Sequence, residues 1–313
     1  ALGSPAVSLV EEIRTAAAWV AGQARHVRVE EAAISAYAAS LPAREELPGI
    51  DPEAHILDGP AELRAAFFLT LDAINFGSGW FPTIRKREGR SGYFTIALGL
   101  RDHFRTAGPW SAAELEALDA ATIARVLGQD PAHELMALFA ASLNDLGARI
   151  ARDHGGRFLG PVEAAGGSAV ALVEELASWD CFRDVSPYAG REIPLYKRAQ
   201  VAASDLALAG VAAFRDLDRL TLFADNLIPH VLRLDGILRF EPALVARIEA
   251  GELIAHDSPE EVEMRCGAIH VAELICRERP DLTPQLVDQL LWTRGGGPRY
   301  KAVPRPRARS TAY

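Results

Sequence analysis

Helix-start signals recur along the chain and constrain its fold more than any other feature of the sequence. A serine is followed three residues later by a glutamate at Ser8, Ser111 and Ser258. This is the spacing of a capping box, in which hydroxyl and carboxylate each accept a hydrogen bond from a backbone amide at the helix start. Pro259 and Pro284 each follow a hydroxyl residue, at the first helical position, where proline removes no helical hydrogen bond. These signals predict a mainly α-helical protein.

The composition agrees with packed helices. Hydrophobic residues make up 49% of the 313 residues and aromatic residues only 7%, which favours closely packed helices over a β-sandwich. Three cysteines are too few for a disulfide scaffold. We therefore expect residues 1–313 to form a single compact domain, which could consist of two closely packed helical lobes.

Apolar spacing predicts individual helices at about residues 61–75, 131–153 and 168–179. Residues 91–98 depart from this pattern, because they are aromatic and β-branched and follow a charged, glycine-containing stretch at 85–90. That segment predicts a short strand or hairpin arm. The expected fold is thus helical with a small β element near 91–98.

Charge and hydropathy exclude several classes of protein. The net charge of −9 argues against a general nucleic-acid binder, since duplex binding depends largely on neutralising phosphates with Lys and Arg. The sequence has no run of about 18 uncharged apolar residues that would span a membrane. It also lacks the basic-then-apolar order of a signal peptide. We expect a soluble cytoplasmic protein.

The familiar sequence motifs for nucleotide, metal and serine-hydrolase sites are missing: there is no Walker A loop, dinucleotide fingerprint, HExxH or GxSxG. Cys266 and His270 are four residues apart on one predicted helix. Two ligands without a third favour a buried helix face over a metal site. We expect no metal.

The segment 221–238 is the most suggestive for chemistry. Asp225 follows Phe223 and precedes a short predicted helix at 229–234 and an Asp-Gly turn. A carboxylate is what cleavage of an N-glycosidic bond needs, because the transition state carries positive, oxocarbenium-like charge on the sugar. The alternative makes Asp225 a helix N-cap and Phe223 its hydrophobic staple, and the local sequence alone favours that alternative.

Two charged clusters have equally ordinary explanations. Lys197 and Arg198 are adjacent on a predicted helix and point to different sides, so at most one of them faces a pocket. Surface ion pairs explain the two residues at least as well. Glu261 and Arg265 are four residues apart, the spacing of a routine ion pair on a solvated helix start.

Asp288 and Trp292 lie one turn apart on the last long predicted helix. An aromatic face beside a carboxylate suits a flat base that carries hydrogen-bond donors. An ordinary amphipathic helix with Trp292 in the core explains the pair better.

Seven short segments along most of the chain carry a family resemblance through their order and spacing. They are HILDGP with His55, LDAINFGSGW, SGYFTI, YKRAQ at 196–200, Phe-Ala-Asp at 223–225, EVEMR at 261–265 and VPRPRAR shortly before the C-terminus. In this order they resemble the queuosine-salvage protein family, the queuosine 5′-phosphate N-glycosidases.

The resemblance implies a mostly helical fold related to helix-hairpin-helix DNA glycosylases. It implies an N-glycosidase that hydrolyses queuosine 5′-phosphate to queuine and ribose 5-phosphate for queuine salvage into tRNA modification, without a cofactor. The implied partners are the substrate and the product queuine, with no stable nucleic-acid complex and no membrane.

The resemblance also implies roles for individual residues. Asp225 would be the catalytic carboxylate, as nucleophile or as stabiliser of the oxocarbenium. The queuine pocket would be lined by His55, by Phe223 stacking on the base, and by Asp288. Family members often have Asp directly after the last-helix Trp292, where this chain has Thr293, so another group must compensate if that Asp normally helps to hold queuine.

The C-terminal tail is basic. From Arg294 onward the chain has six basic residues and no acidic one. Arg307 and Arg309 match the family's VPxxRxR ending and could bind the 5′-phosphate. Lys197 could serve the same purpose, or the tail could be solvated.

Two further functions remain open from the sequence. One is a DNA-base glycosylase of the helix-hairpin-helix type, with Lys197 as a Schiff-base nucleophile, although the charge of −9 weighs against it. The other is a non-catalytic protein that binds queuine or a nucleotide.

Overall fold

The computed structural model describes residues 6–47 and 49–313. Helix accounts for 58% and strand for 5% of the chain, which confirms the mainly α prediction. The helices are α1 (Leu9–Gly22), α2 (Ile34–Ser40), α3 (Ala61–Ala73), α4 (Gly92–Ala107), α5 (Ala112–Glu116), α6 (Ala120–Leu127), α7 (Glu134–His154), α8 (Gly160–Ala164), α9 (Ala169–Ala177), α10 (Lys197–Leu208), α11 (Leu227–Leu234), α12 (Pro242–Glu249), α13 (Pro259–Glu278), α14 (Pro284–Gly295) and α15 (Pro298–Lys301). The strands are β1 (Val27–Val29), β2 (Val185–Tyr188), β3 (Arg191–Pro194) and β4 (Leu238–Phe240).

The predicted capping serines are at helix starts. The hydroxyl oxygens of Ser8, Ser111 and Ser258 accept hydrogen bonds from the amides three residues on, at 3.4, 3.1 and 3.3 Å. The reciprocal carboxylate bond of a capping box is present at Ser111, where Glu114 accepts from the serine amide. The three helices predicted from apolar spacing are α3, α7 and α9, with bounds shifted by a few residues.

The predicted β element near 91–98 is wrong. These residues form the N-terminal half of α4, whose N-cap is Ser91, with its hydroxyl oxygen 3.2 Å from the amide of Phe94. All residues from Thr95 to Leu100 are buried. Tertiary burial therefore outweighs the β propensity of aromatic and β-branched residues, which is a weak preference that depends on context. Strand occurs instead in two antiparallel two-stranded sheets, β1 with β4 and β2 with β3.

The described chain forms two compact units. The first comprises the described residues of Ala1–Pro48, together with Asp184–Lys197 and Asp216–Arg309. Its centre is α13, which contacts α1, α2, α11, α14 and β1. Because neighbours surround α13, it buries charged as well as apolar side chains along most of its length.

The second unit comprises Gly49–Arg183, Arg198–Arg215 and Ser310–Tyr313. Its centre is α7, which contacts α3, α5, α6 and α8. Gly147 permits the close approach of α7 to α5, because a β-carbon there would lie 2.5 Å from the carbonyl oxygen of Ala112. The expectation of one domain over residues 1–313 and the relation to helix-hairpin-helix glycosylases stay predictions.

In the part of the chain that the structure describes, no helix is both long enough and apolar enough to cross a membrane.

Candidate active site

Asp225 lies at the start of α11, and its carboxylate is held by the backbone of that helix. Oδ1 accepts hydrogen bonds from the amides of Leu227 and Ile228, both at 3.0 Å. Asp225 therefore makes the hydrogen bonds of a helix cap, although the helix begins at Leu227, two residues before Pro229, and Asn226 occupies the N-cap position. The role of Phe223 as a hydrophobic staple stays a prediction. Two donors converging on one oxygen orient the carboxylate, which is 8% exposed.

The other carboxylate oxygen of Asp225 is used differently. Within residues 6–47 and 49–313, no hydrogen bond to Oδ2 is made. Capping thus occupies one oxygen and leaves the second with its lone pairs available. Such a carboxylate is oriented, little exposed and able to approach a positively charged group.

Phe223 and Asp288 are brought together beside Asp225. Oδ2 of Asp288, on α14, accepts a hydrogen bond from the amide of Phe223 at 2.9 Å. The two residues are 5% and 7% exposed. The Asp288 carboxylate thereby fixes the main chain two residues before Asp225, so three of the predicted site residues form one cluster.

Trp292, one turn after Asp288, is 37% exposed. The interpretation that places its ring in the core is therefore wrong. Thr293 beside it is exposed as well. Together these two residues present an aromatic ring and a hydroxyl at the surface of α14, and their roles in base recognition stay predictions.

The interpretation of Glu261 and Arg265 as a solvated ion pair is wrong. Each is only 1% exposed, so neither is solvated. The Glu261 carboxylate accepts hydrogen bonds from the amide of Asp257 and from His256 Nδ1, both at 2.8 Å. Arg265 instead pairs with Asp184, a residue that the sequence analysis did not single out. The run of small and apolar residues after Arg265 is the one sequence signal of this burial.

Lys197 and Arg198 are both buried, at 9% and 3% exposure, so surface ion pairs do not explain them. In the first unit the amide of Lys197 donates to Asp184 Oδ2 at 2.9 Å. In the second unit the Arg198 guanidinium donates to the carbonyl oxygens of Asp72, Ala73, Cys181 and Thr311. Arg198 is therefore committed to its own unit's backbone.

The basic tail is tied to the Asp225 segment. Asn226 Nδ2 donates to the carbonyl oxygen of Pro306 at 2.8 Å. The amide of Ile254 donates to the carbonyl oxygen of Arg307 at 2.8 Å. The segment that carries Arg305 and Arg307 is thus not a solvated tail. Arg309 is exposed.

Two tail arginines are desolvated. Burial lowers the pKa of Arg305, while the negative charge of Asp225 acts in the opposite direction. Burial, together with the positive charge of Arg305, lowers the pKa of Arg307 to about 10. Two cations that are costly to keep away from water and that repel each other favour an anion beside them. Arg305 is a residue that the sequence analysis missed, since it occupies a variable position of the VPxxRxR pattern.

His55 belongs to the second unit and is 3% exposed. Its Nδ1 lies 2.6 Å from the carbonyl oxygen of Asp51 and its Nε2 lies 2.7 Å from the Tyr93 hydroxyl. The imidazole stacks on Phe68 with 5.7 Å between ring centroids. Burial raises the pKa of Tyr93 well above its ordinary value, so a neutral phenol faces His55. The assignment of His55 to the queuine pocket stays a prediction.

Two groups of three side chains could each offer metal ligands within 4.8 Å of one another in the described part of the chain. They are His26 with Glu241 and Glu260, and His256 with Asp257 and Glu261. Neither group contains Cys266, whose pKa burial raises to about 12. Neither contains a residue of the Asp225 cluster.

Comparison with known proteins adds a family and full-length relatives. A family model described as "Queuosine salvage protein" matches residues 55–313. A protein of Sphaerobacter thermophilus is 36% identical over 311 residues, which cover 94% of this chain and 95% of that protein. One of Dictyostelium discoideum is 26% identical over 328 residues, with 96% and 98% covered. One of Mus musculus is 33% identical over 138 residues, with 42% and 41% covered. All three are named queuosine 5′-phosphate N-glycosylase/hydrolase.

Proposed function

The chain belongs to the queuosine salvage protein family, and we propose that it hydrolyses the N-glycosidic bond of queuosine 5′-phosphate, releasing queuine and ribose 5-phosphate. The observation that carries the proposal is the Asp225 carboxylate, with one oxygen held by two helix amides at 3.0 Å and the other available. Relatives that match nearly the whole chain carry the name of this activity.

The reaction needs a fixed negative charge next to the sugar. When the bond between C1′ and the base nitrogen breaks, the electron pair leaves with the base and C1′ becomes cationic. A water molecule then supplies the hydroxyl group at C1′, and its other proton goes to the base nitrogen. Asp225 stabilises this cation, either directly or by bonding to C1′ before water does, and both routes use Oδ2. Because Leu227 and Ile228 already hold the other oxygen, little reorientation is required at the moment of reaction.

We assign recognition of the base to Phe223 and α14. The amide of Phe223 donates to Asp288 Oδ2 at 2.9 Å. This bond fixes the backbone that carries the Phe223 ring, and the ring can stack on a flat base. Trp292, partly exposed one turn along α14, supplies a second aromatic face. Thr293 stands where a carboxylate is expected and offers only a hydroxyl.

We assign the 5′-phosphate to the desolvated arginines of the tail. Arg305 and Arg307 flank Pro306, whose carbonyl oxygen is held by Asn226, the neighbour of Asp225. A phosphate would compensate for the solvation that both guanidinium groups lose on burial, and it would offset their mutual repulsion. Arg309 and Lys197 are the second choice, since Arg309 is exposed and Lys197 lies outside the tail, at the start of α10.

The partners in this proposal are small molecules. The net charge of −9 disfavours a stable complex with nucleic acid. The three cysteines, two buried and one half-buried, are all unpaired, which agrees with a reducing cytoplasmic setting.

The proposal is tested by incubating the purified protein with queuosine 5′-phosphate and quantifying free queuine by liquid chromatography. Catalytic release of queuine is expected. Tight binding without turnover would support a non-catalytic binding protein instead. Borohydride-trapped adducts on a lesion-containing duplex, without queuine release, would support a DNA glycosylase that uses Lys197.

A further inference from the structure

A buried ion pair lies within the first unit, between α13 and the residue that precedes β2. Arg265 Nη1 and Nη2 donate to Asp184 Oδ1 and Oδ2 at 2.9 and 2.7 Å. The side chains are 1% and 2% exposed. This is the bidentate geometry that the planar guanidinium makes with a carboxylate, and a lysine cannot reproduce it.

The third donor of the guanidinium reaches the Asp225 segment. Arg265 Nε donates to the carbonyl oxygen of Ala224 at 2.9 Å, one peptide unit before Asp225. One side chain therefore joins two points of the unit: Nη1 and Nη2 of Arg265 hold Asp184, and Nε holds the backbone from which Asp225 extends.

Asp184 in turn holds the start of α10. Its Oδ2 accepts from the amide of Lys197 at 2.9 Å, and its carbonyl oxygen accepts from the amides of Leu195 and Tyr196 at 3.0 and 3.3 Å. Tyr196 has a φ of 47°, in the left-handed region that a residue with a side chain adopts only when its surroundings enforce it. The hydrogen bonds to Asp184 hold three consecutive amides at this turn, those of residues 195–197.

Such a pair is a poor way to gain stability. Removing two charges from water is costly, and apolar side chains of similar volume often stabilise a fold equally well. Apolar side chains, however, could not hold the Ala224 carbonyl oxygen and the Lys197 amide at fixed points. What the pair supplies beyond packing is geometry.

We propose that Arg265, backed by Asp184, is a positioning residue that sets the place of the Asp225 carboxylate relative to the sugar. The inference rests on the proposed function, in which Asp225 is the catalytic carboxylate. Loosening the Ala224 carbonyl oxygen displaces Asp225 without removing any group that binds the base or the phosphate. A displacement of about 1 Å costs about a hundredfold in rate. The effect therefore falls on kcat and spares KM.

The test compares Arg265→Lys and the double variant Arg265→Met/Asp184→Leu with a matched control. The double variant replaces the ion pair by apolar groups, an exchange that folds tolerate well, so it keeps the inference testable if the lysine variant unfolds. The control is Glu263→Gln. Glu263 is similarly buried on α13 and accepts hydrogen bonds from the amides of Arg25, His26 and Val27 and from the Tyr188 hydroxyl, which all lie outside the Asp225 segment at 223–228.

We expect a kcat for queuine release that is lower by about 10- to 100-fold in both Arg265 variants, with KM within about threefold of the wild type. Glu263→Gln should lower the urea midpoint at least as much while kcat stays within about threefold. A folded Arg265 variant with wild-type kcat overturns the inference, and so does a loss of kcat in Glu263→Gln that matches theirs. If the wild-type protein releases no queuine, the proposed function fails and the inference falls with it. A fully active wild type with fully active Arg265 variants removes only the inference.

Discussion

Replacing Asp225 by Asn separates the two roles of this residue. The amide oxygen of Asn can accept the same two hydrogen bonds from Leu227 and Ile228, now at 3.0 Å, and Asn is as good a helix cap as Asp. The substitution therefore removes the negative charge and keeps the cap. We expect the free energy of unfolding to change by less than about 0.5 kcal/mol.

The magnitude of the rate effect follows from the charge that is lost. A carboxylate about 4 Å from a sugar cation, at an effective dielectric constant of about 20, contributes about 4 kcal/mol. Each 1.36 kcal/mol corresponds to about tenfold in rate, so kcat should fall by about a thousandfold. The assay is queuine release under saturating queuosine 5′-phosphate, with urea unfolding measured on the same preparation.

Two variants sharpen the comparison. Asp225→Ala removes charge and cap together and should lose about 1 kcal/mol of stability in addition to the rate. Asp235→Asn, at the other end of α11, removes a buried carboxylate that accepts from Tyr37, Tyr300 and Arg294, and should lower stability while kcat is preserved. The reasoning is refuted if folded Asp225→Asn keeps more than about a tenth of the wild-type kcat.

Three further predictions concern the base, the phosphate and pH. Phe223→Leu should raise KM about tenfold by loss of stacking with little change in the unfolding midpoint, and an unchanged KM would remove the ring from the base site. Arg305→Met and Arg307→Met should each raise KM for queuosine 5′-phosphate by about tenfold or more but leave turnover of the nucleoside queuosine unchanged, and equal effects on both substrates would contradict the phosphate assignment. Burial lowers the pKa of His230 to about 4 from 6.5, so the unfolded chain binds the extra proton between these values. The contribution of neutral His230 to the free energy of unfolding is therefore present above pH 6.5, and the free energy should fall by about 2 kcal/mol between pH 7 and pH 5. His230→Gln, whose amide can still donate to the Tyr300 carbonyl oxygen, should reduce this pH dependence of urea unfolding, and an unaltered slope would show that other groups cause it.

The parts of the fold that were predictable are those that short-range chemistry determines. Capping serines and first-turn prolines mark helix starts because their hydrogen bonds lie within four residues. The strand prediction for residues 91–98 was wrong because the β preference of their β-branched and aromatic side chains is overridden by burial in α4. The local pattern offered Asp225 as a candidate carboxylate but favoured a cap, and the family resemblance made it the predicted catalytic residue.

Arg265 shows why the remainder of the site was out of reach. Its spacing from Glu261 matches a surface ion pair, and the only local sign against that interpretation is the run of small and apolar residues after Arg265. The fact that decides the matter is that α13 has neighbours on several sides, and this depends on segments far away in the chain. The true partner, Asp184, is 81 residues distant.

The two interpretations of Asp225 that the sequence set against each other are compatible in the structure, because they use different oxygens. A cap requires one acceptor near the first amides of a helix, and catalysis requires a carboxylate that does not move as charge develops on the sugar. The amides of Leu227 and Ile228 therefore serve both purposes: they are capped at the start of the helix, and they immobilise the carboxylate that we propose to be catalytic. In the proposed mechanism, capping at this position is part of the preorganisation on which electrostatic catalysis depends. It follows that the strength of the cap and the rate of cleavage should be coupled at Asp225, whereas at Ser8 or Ser111 a cap contributes to stability alone.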